Sequence, residues 1–298
     1  MKSLNFDIAY YINSPFLRRY LKVFFRIILP KTLNKKIRNK NTELKNLHSG
    51  ETCFILGTGP SINTQDLTKL ENKFCIGVGE FFHHKQYKVI APQYYVQAPN
   101  HEPFRCDYAL GLVRGVRKLD SNPTIILGHT DYKYSFFRCL KSHDYLADNI
   151  YFVNYQYSNR IGKETVGSEI DWDISKTPFT CKTVIYMALQ VAIFMGFKKI
   201  VLLGCDHDYI ITALAQKNFD KHHFYEESES SSKGIVDFLD GFTLLRWFRE
   251  YSERWEDYIN INNYAISKGV RIINATNGSL LDMFERKKLE DIIGIDLK

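Results

Sequence analysis

Cys53-Phe-Ile-Leu-Gly-Thr-Gly-Pro-Ser61 runs a short apolar strand straight into a turn built from two glycines, a proline and a serine. Such a turn lets backbone N–H groups come close to a ligand. Pro60 followed by Ser61 suits the opening of a helix, whose amino end favours anions. The guest this predicts is a nucleotide phosphate. Two familiar loops are excluded: no third Gly completes a dinucleotide fingerprint, and no Lys-Ser or Lys-Thr pair completes a Walker A loop. Strand, Gly turn and helix also occur together with nothing bound, so the turn has to be weighed with its neighbours.

Three further clusters carry chemistry. Gly204-Cys-Asp-His-Asp-Tyr209 sets two carboxylates around a histidine directly after a buried strand. Asp206 and Asp208 could hold Mg²⁺ or Mn²⁺ against a diphosphate, since hard oxygen donors suit those ions. The plainer roles are a turn cap for Asp206, or a ribose or base contact, with Asp208 solvated. Lys221-His-His-Phe-Tyr-Glu226 offers His222 and His223 as a general base, because imidazole titrates near neutrality. Vicinal loop histidines are also commonly just exposed. Ile272-Ile-Asn-Ala-Thr-Asn-Gly-Ser-Leu-Leu281 supplies Asn274 and Thr276 as candidates for a nucleobase, although its residues are equally good turn and N-cap material.

The elements that must position these groups follow from periodicity. Short apolar runs predict strands over 53–56, 74–78, 94–97, 124–127, 150–153, 200–203 and 270–273, with helical stretches between several of them. Residues 180–195 read as a long buried helix feeding Gly196, and 234–268 as one or two helices bearing Trp247, Trp255 and Tyr258. A short charged helix is expected after Leu281. In an open α/β sheet, ligands collect beyond the carboxyl ends of strands, so Gly57 and Gly204 are expected on one rim of one cleft. Residues 210–233 are polar and Ser-rich, as in a mobile flap.

The chain has 298 residues and a formal charge of +7, but its first 45 residues carry eleven Lys or Arg against Asp7 and Glu43, a local +9. The remaining 253 residues therefore total −2, which argues against nucleic acid as a partner. Phe16–Leu29 mixes large apolar residues with four cations and is too short and charged to span a bilayer; it fits an in-plane membrane anchor or an amphipathic helix on the body or a second subunit. Six scattered cysteines without a C-x-x-C pair predict reduced, buried thiols in a cytoplasmic protein, peripheral on the inner face of the membrane. No signal peptide is expected.

In order along the chain, Ile55-Leu-Gly-Thr-Gly-Pro-Ser61, Thr183-Val-Ile-Tyr-Met-Ala188 with Gly196-Phe-Lys-Lys-Ile200, Leu203-Gly-Cys-Asp206 and Ile273-Asn-Ala-Thr-Asn-Gly-Ser-Leu-Leu281 resemble the bacterial CMP-sialic-acid-dependent sialyltransferases of the Campylobacter type. They are also similar to the related MptE-like and motility-accessory-factor glycosyltransferases. The resemblance implies a variant glycosyltransferase A fold: one Rossmann-like, mostly parallel sheet flanked by helices, with a lid at about 207–233. It divides the chain into a basic amphipathic arm, 1–48, and a catalytic domain, 49–298. Carried over by position, nucleotide contacts fall on Gly57, Thr58, Gly59, Pro60 and Ser61, on Gly79 or Glu80, on Gln97 or Asn100, and on Gly204. Thr183 would lie near the donor sugar, Tyr209 or Tyr225 near the phosphate, and the base would be His223 or His222. Gly79 stands where the sialyltransferases have Asn, and His207, Asp208 and Tyr209 stand where they have an aromatic pair, which loosens the inference to sialic acid and to CMP.

The resulting expectation is an inverting glycosyltransferase for polysaccharide biosynthesis, transferring a sugar such as a CMP-linked nonulosonic acid to a cell-surface glycan or lipid-linked precursor, with no essential cofactor. Amides around Gly59 would stabilise the leaving phosphate. The alternatives are an MptE-like 6-hydroxymethylpterin diphosphokinase using ATP and Mg²⁺, and a non-catalytic nucleotide-binding protein at the membrane.

Overall fold

A computed structural model describes residues 31–118, 122–155, 172–176, 178, 182–214, 223–225 and 243–294. The anchor segment Phe16–Leu29, His222 and most of the expected flap lie outside the described residues.

Apart from the last, the strands are short, apolar and largely buried, as strands covered on both faces must be. They are β1 Thr52–Leu56, β2 Phe74–Val78, β3 Tyr94–Gln97, β4 Thr124–His129, β5 Ile150–Asn154, β6 Lys199–Leu203, β7 Arg271–Asn274 and β8 Glu285–Arg286. All pair in parallel in the order β5-β4-β3-β2-β1-β6-β7-β8. The order reverses between β1 and β6, and a crevice opens there beyond the strand ends. This is the single parallel sheet expected from sequence, with helices on both sides.

One face is covered by α5, Val184–Phe194, in which every residue after Val184 is buried. The long α7, Leu244–Ser267, packs on α5 and β7. The other face carries α2 Tyr87–Ile90, α3 Cys106–Val116, α4 Phe136–Ser142 and α8 Leu289–Ile293, and α6, Tyr209–Leu214, follows β6. A core of Ile, Val, Leu and aromatic side chains lies on each face of the sheet. The tail after Leu281 forms the expected helix as α8, preceded by the two-residue β8 that the polar Glu285-Arg286 sequence did not announce.

The basic helix α1, Lys31–Asn41, docks on the edge strand β5. Lys40 Nζ donates to the carbonyls of Asp148 and Ile150 at 2.7 and 3.0 Å, and Asn41 Nδ2 donates to those of Phe152 and Ile174, both at 2.8 Å. Two of these, Ile150 O and Phe152 O, are carbonyls of the edge strand that would otherwise be open to pairing with another chain. Among the described residues no helix is long and apolar enough to cross a membrane.

The expectation of uniformly reduced cysteines is corrected: Cys106 and Cys139 form a disulfide. Their separation of 33 residues concealed the pairing, which arises because α3 and α4 pack side by side. Cys53, Cys75 and Cys205 are buried free thiols, and burial pushes each of them up.

His84 and His129 are buried, 3% and 5% exposed, and burial pushes both down to about 4. The folded state thus holds fewer protons at these sites than the unfolded chain, so stability is complete above the unfolded value near 6.5 and is lost as pH falls toward 4. Thermal unfolding followed from pH 7 to pH 4 should show a falling midpoint, and His129→Gln should make the fall shallower than in the parent.

Candidate functional site

At the reversal point the turns after β1 and β6 are laced together through their backbones. Gly57 N donates to Leu203 O at 2.7 Å and Gly59 N to Gly204 O at 2.9 Å. A Cβ at Gly57 would strike the Gly204 carbonyl, so this approach requires glycine. Gly204 adopts φ +64°, a left-handed conformation that costs glycine little. The sequence therefore placed Gly57 and Gly204 correctly on one rim.

The expected use of their amides is corrected. Gly57 N and Gly59 N serve the β6 turn, Pro60 has no N–H, and Ser61 N donates to Asp206 Oδ2 at 2.9 Å. Ser61 Oγ adds a 2.6 Å bond to Asp206 Oδ1. The protein's own carboxylate thus occupies the place anticipated for a phosphate, which is the plainer reading of Asp206. Pro60–Thr64 is a single 3₁₀ turn, too short to present a row of amides. Burial pushes the Asp206 carboxyl up against the opposing pull of the Ser61 bonds, and Asp208 adds to the rise.

Beside this rim lies a cleft of about 320 Å³. Thr58, Gly59, Thr183, Gly204, Asp206, Asp208, Tyr209 and His223, all singled out from sequence, line it. One end of it is formed by the start of α5. Thr183 is the N-cap, its Oγ1 accepting from Tyr186 N at 3.1 Å, and Val184 and Ile185 bring the amino end of the helix to the cleft wall. The first amides of a helix have no intrahelical acceptor and carry the positive end of its dipole. Burial pushes the Tyr209 hydroxyl up to about 12 and keeps it a neutral hydrogen-bonding group.

Sequence reasoning missed the two cations of this cleft. Lys182 pairs with Glu250 at 3.8 Å and more closely with Glu253. Arg254 lies over the rings of Tyr209 and Tyr251, 5.8 and 5.6 Å from their centroids, and its buried Nε has no acceptor among the described residues. A charged donor left unbonded inside a cleft favours an anionic guest. Both residues lack a local signature: Lys182 precedes an apolar helix, and Arg254 sits on α7 among aromatics that read as core.

His223 reaches the cleft from the flap. Its Nδ1 is 2.8 Å from Thr58 Oγ1, and Phe224 N donates to Thr58 O at 3.0 Å. Its ring stacks on Tyr225 at 5.0 Å, and Phe224 packs edge-on against Phe81 and His84. Behind the cleft, buried His207 takes φ +54°, held by Tyr258, whose hydroxyl is 2.7 Å from His207 Nε2 and 2.8 Å from Thr183 Oγ1. Burial pushes His207 down to about 4, so it is a neutral strut between the β6 turn and the helix cap.

Several predicted contacts stand away from the cleft. Asn274 is buried and binds Ser279 Oγ, Leu281 O and Thr276 N. Thr276 Oγ1 accepts from Cys205 N at 3.0 Å. The base-contact role given to both is corrected to one of building turns, as their sequence also allowed. Gln97 Nε2 donates to Tyr108 OH, and Asn100 Nδ2 to Tyr134 O, beyond the end of β3. Gly79, φ +58°, backs onto Thr58, and Glu80 pairs with His83. Tyr225 lies beside His223 and the ring of His83 rather than in the cleft wall.

The sequence model of the family described as 6-hydroxymethylpterin diphosphokinase MptE-like matches residues 31–212, and the chain belongs to that family. A solved structure of monomeric CstII is 14% identical over 79% of this chain and 85% of that chain, with a TM-score of 0.44. No curated protein matches the sequence.

Because Gly59 has φ −64°, alanine there suits the backbone and fails by striking the Asp206 carboxylate and, less closely, the Gly204 carbonyl. Gly59→Ala should cost about 1–3 kcal/mol in denaturant unfolding. Adding Asp206→Ala should recover part of that loss, whereas simple additivity would show that the two sites are uncoupled.

Proposed function

We propose that this MptE-like chain is a transferase acting on a nucleotide-activated donor, and within that class an inverting glycosyltransferase. The observation that carries the reading is the convergence, at the β1/β6 reversal, of a helix amino end, an unsatisfied arginine Nε and a histidine held on a separate segment. The first two suit the phosphate of a donor. The third suits the hydroxyl that attacks it.

In this reading the donor phosphate lies between the amino end of α5 and Arg254, with Lys182 at its flank. The reading requires the His223 tautomer that donates Nδ1–H to Thr58 Oγ1, in which Nε2 is the basic nitrogen. Nε2 takes the acceptor's hydroxyl proton as the new glycosidic bond forms, and the sugar–phosphate bond breaks with its electron pair leaving on the phosphate. Arg254 and the helix dipole stabilise that developing charge. CMP as the nucleotide, a nonulosonic acid as the sugar and a glycan or lipid-linked acceptor rest on the sequence resemblance.

The family's own description supports a second reading, diphosphoryl transfer to 6-hydroxymethylpterin. There Asp206 and Asp208, whose hard oxygens suit it, would hold a divalent cation, which would supply charge neutralisation for the donor's phosphates. Ser61 already engages both Asp206 oxygens, so each would serve through a remaining lone pair.

Thermal shift with CMP, CDP, UDP, GDP and ATP, each with and without Mg²⁺, separates the two readings, because a ligand stabilises the fold according to its concentration and Kd. A CMP-selective shift without metal is the expected result; ATP selectivity with strict Mg²⁺ dependence and AMP release would favour diphosphoryl transfer. Replacing His223 by Ala should lower transfer about 10²- to 10⁴-fold with the nucleotide shift unchanged. Full transfer in that variant would remove the base.

A further inference from the structure

We propose that a second pocket, on the edge of the sheet opposite the cleft, binds a phosphate-bearing ligand. It has a volume of about 450 Å³ and lies where the chain enters the strands: Ser49 precedes β1, Lys198 precedes β6, and Lys268 and Val270 precede β7. Nothing in the transferase reading uses it.

Four ammonium groups, those of Lys45, Lys176, Lys198 and Lys268, border the pocket, and its one carboxylate, Asp173, is 3.5 Å from Lys176 and also accepts from Ser175. Lys198 and Lys268 are anchored rather than loose. Lys198 Nζ donates to Lys268 O at 2.5 Å, and Lys268 Nζ lies 5.6 Å over the ring of Tyr264. Tyr264 in turn stacks on Trp172 at 4.9 Å and 16°. Trp172 is 2% exposed and its Nε1–H has no acceptor among the described residues.

That orphaned group is a donor, and so are the ammonium groups around it. The pocket therefore offers hydrogen where a cation would need lone pairs. An anion with several oxygens, taken directly by the lysines and by Trp172 through a bridging water, satisfies both. Lysines act as point charges and favour a phosphate over a planar carboxylate that an arginine fork would select. The same edge of the sheet receives the basic α1, whose Lys40 is bonded at the start of β5. A phosphate headgroup on a membrane and a soluble phosphate ester share this chemistry.

The test uses the full chain and the Lys45→Gln/Lys176→Gln variant. Both side chains are exposed, so circular dichroism and melting should match the parent. Inorganic phosphate and glycerol 3-phosphate are titrated calorimetrically, and vesicles of phosphatidylcholine with and without phosphatidylglycerol are co-sedimented. Binding of at least one probe, weakened tenfold or more in the variant while the nucleotide-induced melting shift persists, is the expected result. Capture by phosphatidylglycerol vesicles without affinity for the soluble probes assigns the site to headgroups, and affinity for glycerol 3-phosphate assigns it to a soluble ester. No binding of any probe, or equal binding by parent and variant, overturns the proposal. The nucleotide shift belongs to the cleft, so its absence from the parent would count against the transferase reading alone.

Discussion

The site depends on two backbone hydrogen bonds, Gly57 N to Leu203 O and Gly59 N to Gly204 O, that continue the β1–β6 ladder past the ends of the strands. Because β1 and β6 are the strands between which the sheet order reverses, this lacing decides how far the crevice opens and which groups enter it. It admits no side chain at Gly57, and it brings Asp206 against Ser61. The Asp206 carboxylate then satisfies the amide and hydroxyl of Ser61. The amino end of α5 and Arg254 then complete the lining of the cleft.

The positions of the strands, the glycine rim and the central helix were legible because each has a local physical signature. Runs such as Cys53–Leu56 and Ile200–Leu203 are apolar enough to be buried on both faces, and the glycines end them where backbone must approach backbone. Roles within the site were less legible. Whether the Gly59 amide meets a phosphate or a carbonyl depends on a strand 140 residues away, and Asn274 looks the same as a base reader or a turn builder. Arg254 and Lys182 were invisible for a related reason: their meaning comes from α7 crossing the start of α5, a tertiary event with no sequence period. The Cys106–Cys139 pair belongs with them, since only the packing of α3 on α4 brings it together.

Residues 223–225 and the sheet share one anchoring element. Thr58 touches His223 through its side chain and Phe224 through its carbonyl, so the residue that carries the β1 turn also fixes the histidine. The strut from His207 through Tyr258 to Thr183 does the same on the other side, tying the β6 turn to the helix cap. Placement of the reactive groups is therefore governed by rigid strand ends and a buried helix, the arrangement that holds a geometry most closely.

The capping of β5 by Lys40 and Asn41 has a consequence for vectorial synthesis. The capping residues leave the ribosome more than a hundred residues before the carbonyls they cover. During that interval α1 has no partner, and once β5 emerges it must be met by a segment already waiting at a long sequence separation, a contact that is slow to form. A ribosome-bound intermediate ending just after β5 would expose its pairing edge until that closure, and the nascent chain is then most open to association with its neighbours on a polysome.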